Sequence, residues 1–454
     1  MKSLTVPPGY SEITATPMPA HRDEWEHRLL ADPNLLRDIA SHVAGPFHLL
    51  YPPRVAANIR AFQRVFLESG VEGDIYYGKK ANKSPSVVRV CAETGAGVDV
   101  SSTGEFLSAL RGGVRGMDLM VTGPAKSDQL LHLSANYGAL IAIDDLDELA
   151  RLTSLGIPAR VLLRVLPPNS TSRFGMTDSE LELALTLADT DLIRLEGFSF
   201  HLQGYDFLPR AELAHRLIDR CLAARGEDRP FATISIGGGF GVDYLPAEAW
   251  DTFLEGVNPR WFHGDRAPHP ESYYPYHCPT PGPSMLAAVL AHGNLGDRLR
   301  SAGIRLAIEP GRALLDQAGC SVFQVQGVKV RRAHGFPYMI LTVNGTSLSL
   351  SEQWFDSEYL PDPVLWPRYP GSITPTCVSG ASCLEEDMLS WRRIPLPRAA
   401  ATDDLLIYPN TAGYQMDSNE SAFHDLPIPP KIVLRDVSAE RSYEWDLEVP
   451  GTVD

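Results

Sequence analysis

Between about residue 45 and residue 312, eight short apolar runs alternate with amphipathic stretches of helical period. That alternation limits the chain more than any other feature. Strands separated by helix-length crossovers pair in parallel, and eight such units close a barrel. The runs cover residues 74–78, 97–100, 119–122, 140–143, 161–165, 195–201, 233–236 and 305–308. Helix starts between them are marked locally. Ser84 precedes a proline at the first helical position, and Ser102 with Glu105 has capping-box spacing ahead of Phe106. A helical pattern also runs through residues 24–43. Beyond residue 312, apolar runs at 320–329, 338–343 and 405–408 follow one another across Pro- and Gly-rich loops, the texture of a β domain. The expected fold is therefore α/β. An N-terminal segment (1–45) packs on the β domain, a (β/α)8 barrel spans 46–317, and a β-rich domain spans 318–454.

A chain of 454 residues exceeds what one hydrophobic core supports, which agrees with two domains. The net charge of −16 repels phosphate backbones and anionic bilayers, so nucleic acid and membranes are not expected partners. The amino terminus lacks the apolar run of a signal peptide, and no 18-residue apolar stretch occurs. Six cysteines are scattered without a CxxC pair, and a cytoplasmic setting is expected. Residues 256–283 form a long insertion rich in Pro, His and aromatics. It contains His263, His269, His277 and Cys278, but their spacing matches no standard zinc site. The expectation is an ordered lid or a subunit contact, with no metal.

Barrel enzymes carry their chemistry at the C-terminal ends of the strands. Those ends hold Lys80, Asp99, Arg164, His201, the triplet Gly237, Gly238 and Gly239, and the run Glu309, Pro310, Gly311 and Arg312. Glycines after a strand let backbone N–H groups approach a phosphate, and Arg312 can pair with it. An enclosed lysine can condense with an aldehyde. A carboxylate can keep a pyridine nitrogen protonated, and an imidazole can stack on a flat ring. Phosphate, aldehyde, pyridinium and ring face are the four handles of pyridoxal 5'-phosphate. Lys79 competes with Lys80 for the lysine role. Gly78 shares the face of Lys80 and would leave room for a ring, which favours Lys80.

With these residues in place, the sequence resembles the fold type III pyridoxal-phosphate decarboxylases, the ornithine, arginine and diaminopimelate decarboxylases with an alanine racemase-like fold. YYGKKAN, GVDVSSTGEF, LLRV, SRFGM, SFHLQG, GGGFG and EPGR follow in the family's order, and SGASCLEED and AGY follow in the β domain. The resemblance covers roughly residues 45–434. It implies that Lys80 forms the Schiff base, His201 stacks on the ring, Glu309 pairs with the ring nitrogen and Arg164 lies near the phenolic oxygen. Asp99 belongs to the same cofactor set. Gly237, Gly238, Gly239, Gly311, Arg312 and Tyr414 gather around the phosphate. Cys383 would enter from the partner subunit of a homodimer and protonate the carbanion left by carbon dioxide.

Of three departures the first bears on the cofactor phosphate and the other two on the substrate, which the resemblance makes an amino acid or a derivative of one. The serine usual after the stacking histidine is absent from His201, Leu202, Gln203, Gly204 and Tyr205. Leu384 stands where relatives have an acidic residue reading a distal amine, and Glu385 or Glu386 could shift into that role. Residues 344–356 contain no arginine, which weakens a match to diaminopimelate. Asp356 either faces a distal ammonium or caps the element that follows. Asp356, Glu385 and Tyr414 are the expected substrate contacts. The competing functions are a racemase, epimerase or other Cα chemistry on the same cofactor, and a non-catalytic regulatory relative. Glu309 argues against the racemase, because alanine racemases place arginine at the ring nitrogen.

Overall fold

The computed structural model describes residues 10–188, 191–226, 229–350, 358–419, 421–437 and 443–448. They divide into two compact units. Of these residues, one unit comprises 10–54, 242–279 and 315–448, and the other comprises 55–241 and 280–314. The first strand, β1 (Phe47–Leu50), belongs to the former.

The second unit is built on a closed parallel barrel of eight strands. They are β2 (Gly73–Gly78), β3 (Gly97–Val100), β4 (Leu119–Val121), β5 (Leu140–Ile143), β6 (Ala159–Arg164), β7 (Ile193–Ser199), β8 (Thr233–Ser235) and β9 (Arg305–Ile308). The alternation of runs and helices is thus realised as a (β/α)8 barrel. Its helices start where local chemistry dictates. Ser102 Oγ accepts the Glu105 N–H at 3.2 Å, while the Glu105 carboxylate accepts the N–H of Ser101, one residue before the cap. Ser84 does not cap its helix with its side chain; its hydroxyl lies 2.7 Å from Ser86 Oγ. β7 begins and ends earlier than the apolar run 195–201. The backbone bulges at Gly197 (φ +155°), where an added Cβ would lie 1.7 Å from the Thr233 carbonyl oxygen.

The first unit carries a nine-stranded sheet. Besides β1 it contains β10 (Gly319–Ala333), β11 (Phe336–Val343), β12 (Val364–Trp366), β13 (Thr374–Ser379), β14 (Met388–Leu396), β15 (Leu405–Tyr408), β16 (Lys431–Asp436) and β17 (Tyr443–Glu448). β1 runs antiparallel to β10 and parallel to β16. Two features differ from the sequence expectation. The helical pattern at 24–43 is two helices, Glu24–Ala31 and Leu35–His42, because Pro33 disfavours helical backbone at Asp32 (φ −76°, ψ 117°). In addition, Val242–Pro279 groups with the sheet unit rather than with the barrel strands that flank it in sequence. There Tyr244, Tyr274, Tyr276 and Tyr359 pack edge to face, with ring centroids 5.5–6.0 Å apart. His263 pairs with Tyr338 Oη at 2.9 Å and His277 with Asp243 at 2.8 Å.

The Glu24–Ala31 helix turns Trp25, Leu29 and Leu30 into a core shared with Phe47, Leu49, Val322, Ile407 and Ile432. Glu26 is also buried there, at 1 % exposure, and its Oε1 accepts no hydrogen bond from a described residue. Burial pushes its pKa up to about 8, against the weaker pull of Arg22. The unfolded chain releases this proton near the ordinary glutamate value of 4.5 and the folded chain near 8, so stability falls across that window as pH rises. The slope is at most about 1.4 kcal/mol per pH unit for one group. Glu26→Gln should therefore gain thermal stability relative to wild type between pH 5 and pH 8. Parallel melting curves for the two proteins across that range would contradict it.

Candidate active site

Strand alternation builds the barrel interior in layers. Tyr76, Met120, Leu140, Ala142, Leu162 and Ala307 form an apolar layer, and each is at most 6 % exposed. Moving two residues on along β2, β4, β5, β6 and β9 keeps the same face and reaches Gly78, Thr122, Asp144, Arg164 and Glu309. The register extends the ring. Asp99 pairs with Gly78 on one side and Met120 on the other, and Arg164, Ser199, Ser235 and Ala307 are successive neighbours across four strands. A polar layer therefore lies on an apolar floor, at the C-terminal ends of the strands.

The contacts within this layer are specific. Thr122 Oγ1 donates to Asp99 at 2.6 Å, and Ser235 Oγ donates to Glu309 at 2.5 Å. Arg164 donates to Asp144 at 3.1 Å and covers the Phe174 ring at 4.5 Å. Asp99 is buried, and its pKa is raised by burial against the pull of the Lys80 ammonium and the Thr122 hydroxyl. Glu309 is raised to about 7, by burial first and by the Asp99 charge second; the Ser235 hydroxyl, Lys80 and Arg164 oppose this. His201 opens onto the mouth, but the atoms around it strip much of its hydration. That loss, with the Lys80, Arg210 and Arg164 cations, lowers its pKa to about 3. The imidazole is thus neutral at neutral pH, and its Nδ1 accepts the Gly238 N–H at 3.2 Å.

Lys80 follows β2 in a short 3-10 turn, Lys79–Ala81. Lys80 is exposed at the rim, whereas Lys79 is 3 % exposed. The Lys80 charge acts on Asp99, His201 and Glu309, which puts it in the electrostatic centre of the group. After β8, which only β9 separates from β2, the backbone of the glycine run is packed against the site. Gly237 (φ +69°) would place a Cβ 2.7 Å from His201 Nδ1, and Gly239 (φ +79°) would place one 2.1 Å from Arg210 Nη2. Gly311 lies beside Gly78, 3.6 Å from where its Cβ would be, and Arg312 opens the buried 3-10 turn that follows.

Several contributors were not singled out in the sequence. Arg210 donates to the carbonyls of Leu202, Gly204, Asp206 and Gly238, which ties the 202–206 loop to the glycine run. Glu148 and Lys126 form a buried pair at 2.9 Å, and the same carboxylate accepts the Asp144 N–H at 2.8 Å. Asp144 and Thr122 could have been found by stepping two residues beyond an interior apolar residue, whereas Ser199 and Ser235 follow Gly197 and Thr233 and carry no such mark. Arg210 and Glu148 leave no such signal, because they lie on helices outside the strand pattern.

A phosphate-bearing pyridine aldehyde fits this set. The barrel supplies a glycine-lined backbone, a lysine at the rim, a neutral imidazole and a carboxyl poised near neutrality. Ser199 Oγ is buried in the polar layer with no described hydrogen-bond partner, an unused polar atom on the same wall. Cys383, Glu385 and Tyr414 belong to the sheet unit. Cys383 and Glu385 are exposed there, and Tyr414 has left-handed backbone (φ +72°). Asp356 lies outside the described residues. No described helix is long and apolar enough to cross a membrane.

Comparison with known proteins agrees with this chemistry. Residues 54–259 match the pyridoxal-binding domain of the pyridoxal-dependent decarboxylases. The uncharacterized protein y4yA of Sinorhizobium fredii is 37% identical over 416 residues, covering 88% of this chain and 90% of its own. The diaminopimelate decarboxylase of Actinosynnema pretiosum is 28% identical over 436 residues, covering 90% of this chain and 89% of its own. Among solved structures, the diaminopimelate decarboxylase of Helicobacter pylori complexed with L-lysine superposes with a TM-score of 0.69 at 19% identity, covering 91% and 97% of the two chains. The arginine decarboxylase of Paramecium bursaria Chlorella virus bound to agmatine gives 0.66 at 16% identity, covering 86% and 98%. The chain belongs to the fold type III pyridoxal-phosphate-dependent decarboxylases, and is a carboxy-lyase that works with that cofactor.

Proposed function

We infer that the protein decarboxylates an amino acid or an amino-acid-derived intermediate as a homodimer, with Lys80 as the cofactor lysine. The observation that carries this reading is the joint action of the Lys80 charge on Asp99, His201 and Glu309 beside a glycine-lined wall. Bound there, pyridoxal phosphate supplies an aldehyde for the amine and a protonated ring that accepts the electron pair left by carbon dioxide. Glu309 holds a proton at the ring nitrogen, and Ser235 fixes the direction of its carboxylate. His201 would stack on the ring, and Arg210 keeps the loop behind it in position. Arg164, anchored by Asp144, would serve the phenolic oxygen. Gly237, Gly238, Gly239, Gly311, Arg312 and Tyr414 would hold the phosphate. Cys383 of a second subunit returns a proton to Cα.

The two diaminopimelate decarboxylases above make a diamino acid the natural first substrate to try. Leu384, which is 52 % exposed beside the cysteine, and the arginine-free sequence 344–356 favour a distal group other than a free amino-acid end. Asp356 and Glu385 are the side chains assigned to it. The test is carbon dioxide release from lysine, ornithine, arginine, diaminopimelate and N-modified diamino acids, with cofactor added. Release from at least one member is expected. A cofactor-loaded protein that releases none, but exchanges the Cα hydrogen with solvent, would favour racemisation instead.

A further inference from the structure

Cys383 is not solitary within its unit. Its Sγ lies 3.1 Å from His424 Nε2, although the two residues are 41 positions apart in sequence. The Cys383 backbone N–H points at the same nitrogen, at 3.5 Å, so two donors converge on one acceptor. Both sides of the pair are held by their loops. Buried Asp387 accepts the Ser382 N–H at 3.0 Å and the Ser347 N–H at 2.7 Å, which pins the turn that carries Cys383. Gly380 makes that possible, since an added Cβ would lie 2.2 Å from Asp387 Oδ2. His424 and Asp425 both have left-handed backbone (φ +61° and +57°), and the imidazole lies against Phe423 with ring centroids 4.3 Å apart. Left-handed backbone at two successive non-glycine residues costs free energy, and here it presents the ring to the sulfur.

We propose that His424 is the positioning and proton-returning partner of Cys383. The proposal rests on the reading of Cys383 as the proton donor. In turnover the S–H bond breaks as a C–H bond forms at the substrate's Cα, and the electron pair stays on sulfur. A solvent proton taken up at His424 Nε2 then passes to sulfur, and both side chains return to their starting states. An imidazole beside a thiol takes and gives this proton without rearrangement of the loop.

The first arm of the test needs no substrate. Of the six cysteines only Cys383 is exposed, so iodoacetamide applied to the cofactor-loaded enzyme reports on this sulfur, with the alkylated site located by mass spectrometry. His424→Asn suits the left-handed backbone but removes the proton acceptor. His424→Gln reaches further and can accept the S–H hydrogen bond without exchanging its proton. Wild type is expected to alkylate roughly tenfold faster than either variant at pH 7, with the gap closing by pH 9, where a thiol ionises unaided. Equal rates and the same pH profile in all three proteins would overturn the proposal. Cys383→Ala keeps the two readings apart. Undiminished carbon dioxide release from it removes the donor role and the relay together, whereas lost release with unchanged alkylation in the His424 variants removes the relay alone.

Discussion

Lys80→Ala is expected to fold, to bind pyridoxal phosphate without the absorbance of a lysine-bound aldehyde, and to release carbon dioxide at least about 10⁴-fold more slowly than wild type. The size follows from the role: a covalent anchor removed from a set that acts as a unit takes most of the catalysis with it. Folding should survive, because Lys80 is exposed in a short turn and contributes nothing to the apolar floor of Tyr76, Met120, Leu162 and Ala307. Lys79→Met is the matched control. Lys79 is buried, whereas Lys80 is exposed and its charge acts on Asp99, His201 and Glu309. Its loss is expected to lower thermal stability while leaving lysine-bound absorbance in place. If instead Lys79→Met loses that absorbance and Lys80→Ala keeps it, the two lysines exchange roles.

The choice between these lysines shows where sequence reasoning reaches and where it stops. Gly78 shares the inward face with Tyr76, and strict alternation would carry that face to Lys80. The chain leaves the strand at Gly78 and enters a 3-10 turn, so alternation no longer governs the two lysines. Their separation rests on burial and charge instead. The barrel strands were legible because parallel strands need apolar runs on both faces, and 97–100, 140–143 and 305–308 coincide with β3, β5 and β9. The bulge at Gly197 within β7 was not legible, since nothing in a run of apolar residues marks a backbone at φ +155°. Charged residues at strand ends stood out, but Thr122 and Asp144 look like ordinary loop residues until the two-residue step from the floor is applied. Long-range pairings were invisible. No local pattern joins His424 to Cys383, or brings 242–279 to a sheet built mainly from residues beyond 315.

Glu309→Gln should separate cofactor binding from catalysis. The carboxyl sits on the polar layer with its pKa raised to about 7, held by Ser235 and pushed up by burial and by Asp99. A protonated ring nitrogen opposite it would draw the proton balance back and stabilise the ionised carboxylate, so wild-type affinity for pyridoxal phosphate is expected to rise as pH increases through about 7. The amide that replaces the carboxyl in the variant carries no charge to titrate, and the variant's affinity should be flat across the same window. The residues proposed to hold the phosphate, Gly237, Gly238, Gly239 and Arg312, are untouched, and the variant should load at high cofactor concentration. Its turnover is nonetheless expected to fall by about 10²–10³-fold, the usual size of losing one charge-stabilising group in a water-poor site. The fall should appear in kcat more than in KM, since an unprotonated ring still binds but accepts electrons poorly. A variant whose affinity keeps the wild-type pH dependence would mean that another group titrates there, and Asp99, the neighbouring carboxyl that acts on Glu309, is where that titration would then lie.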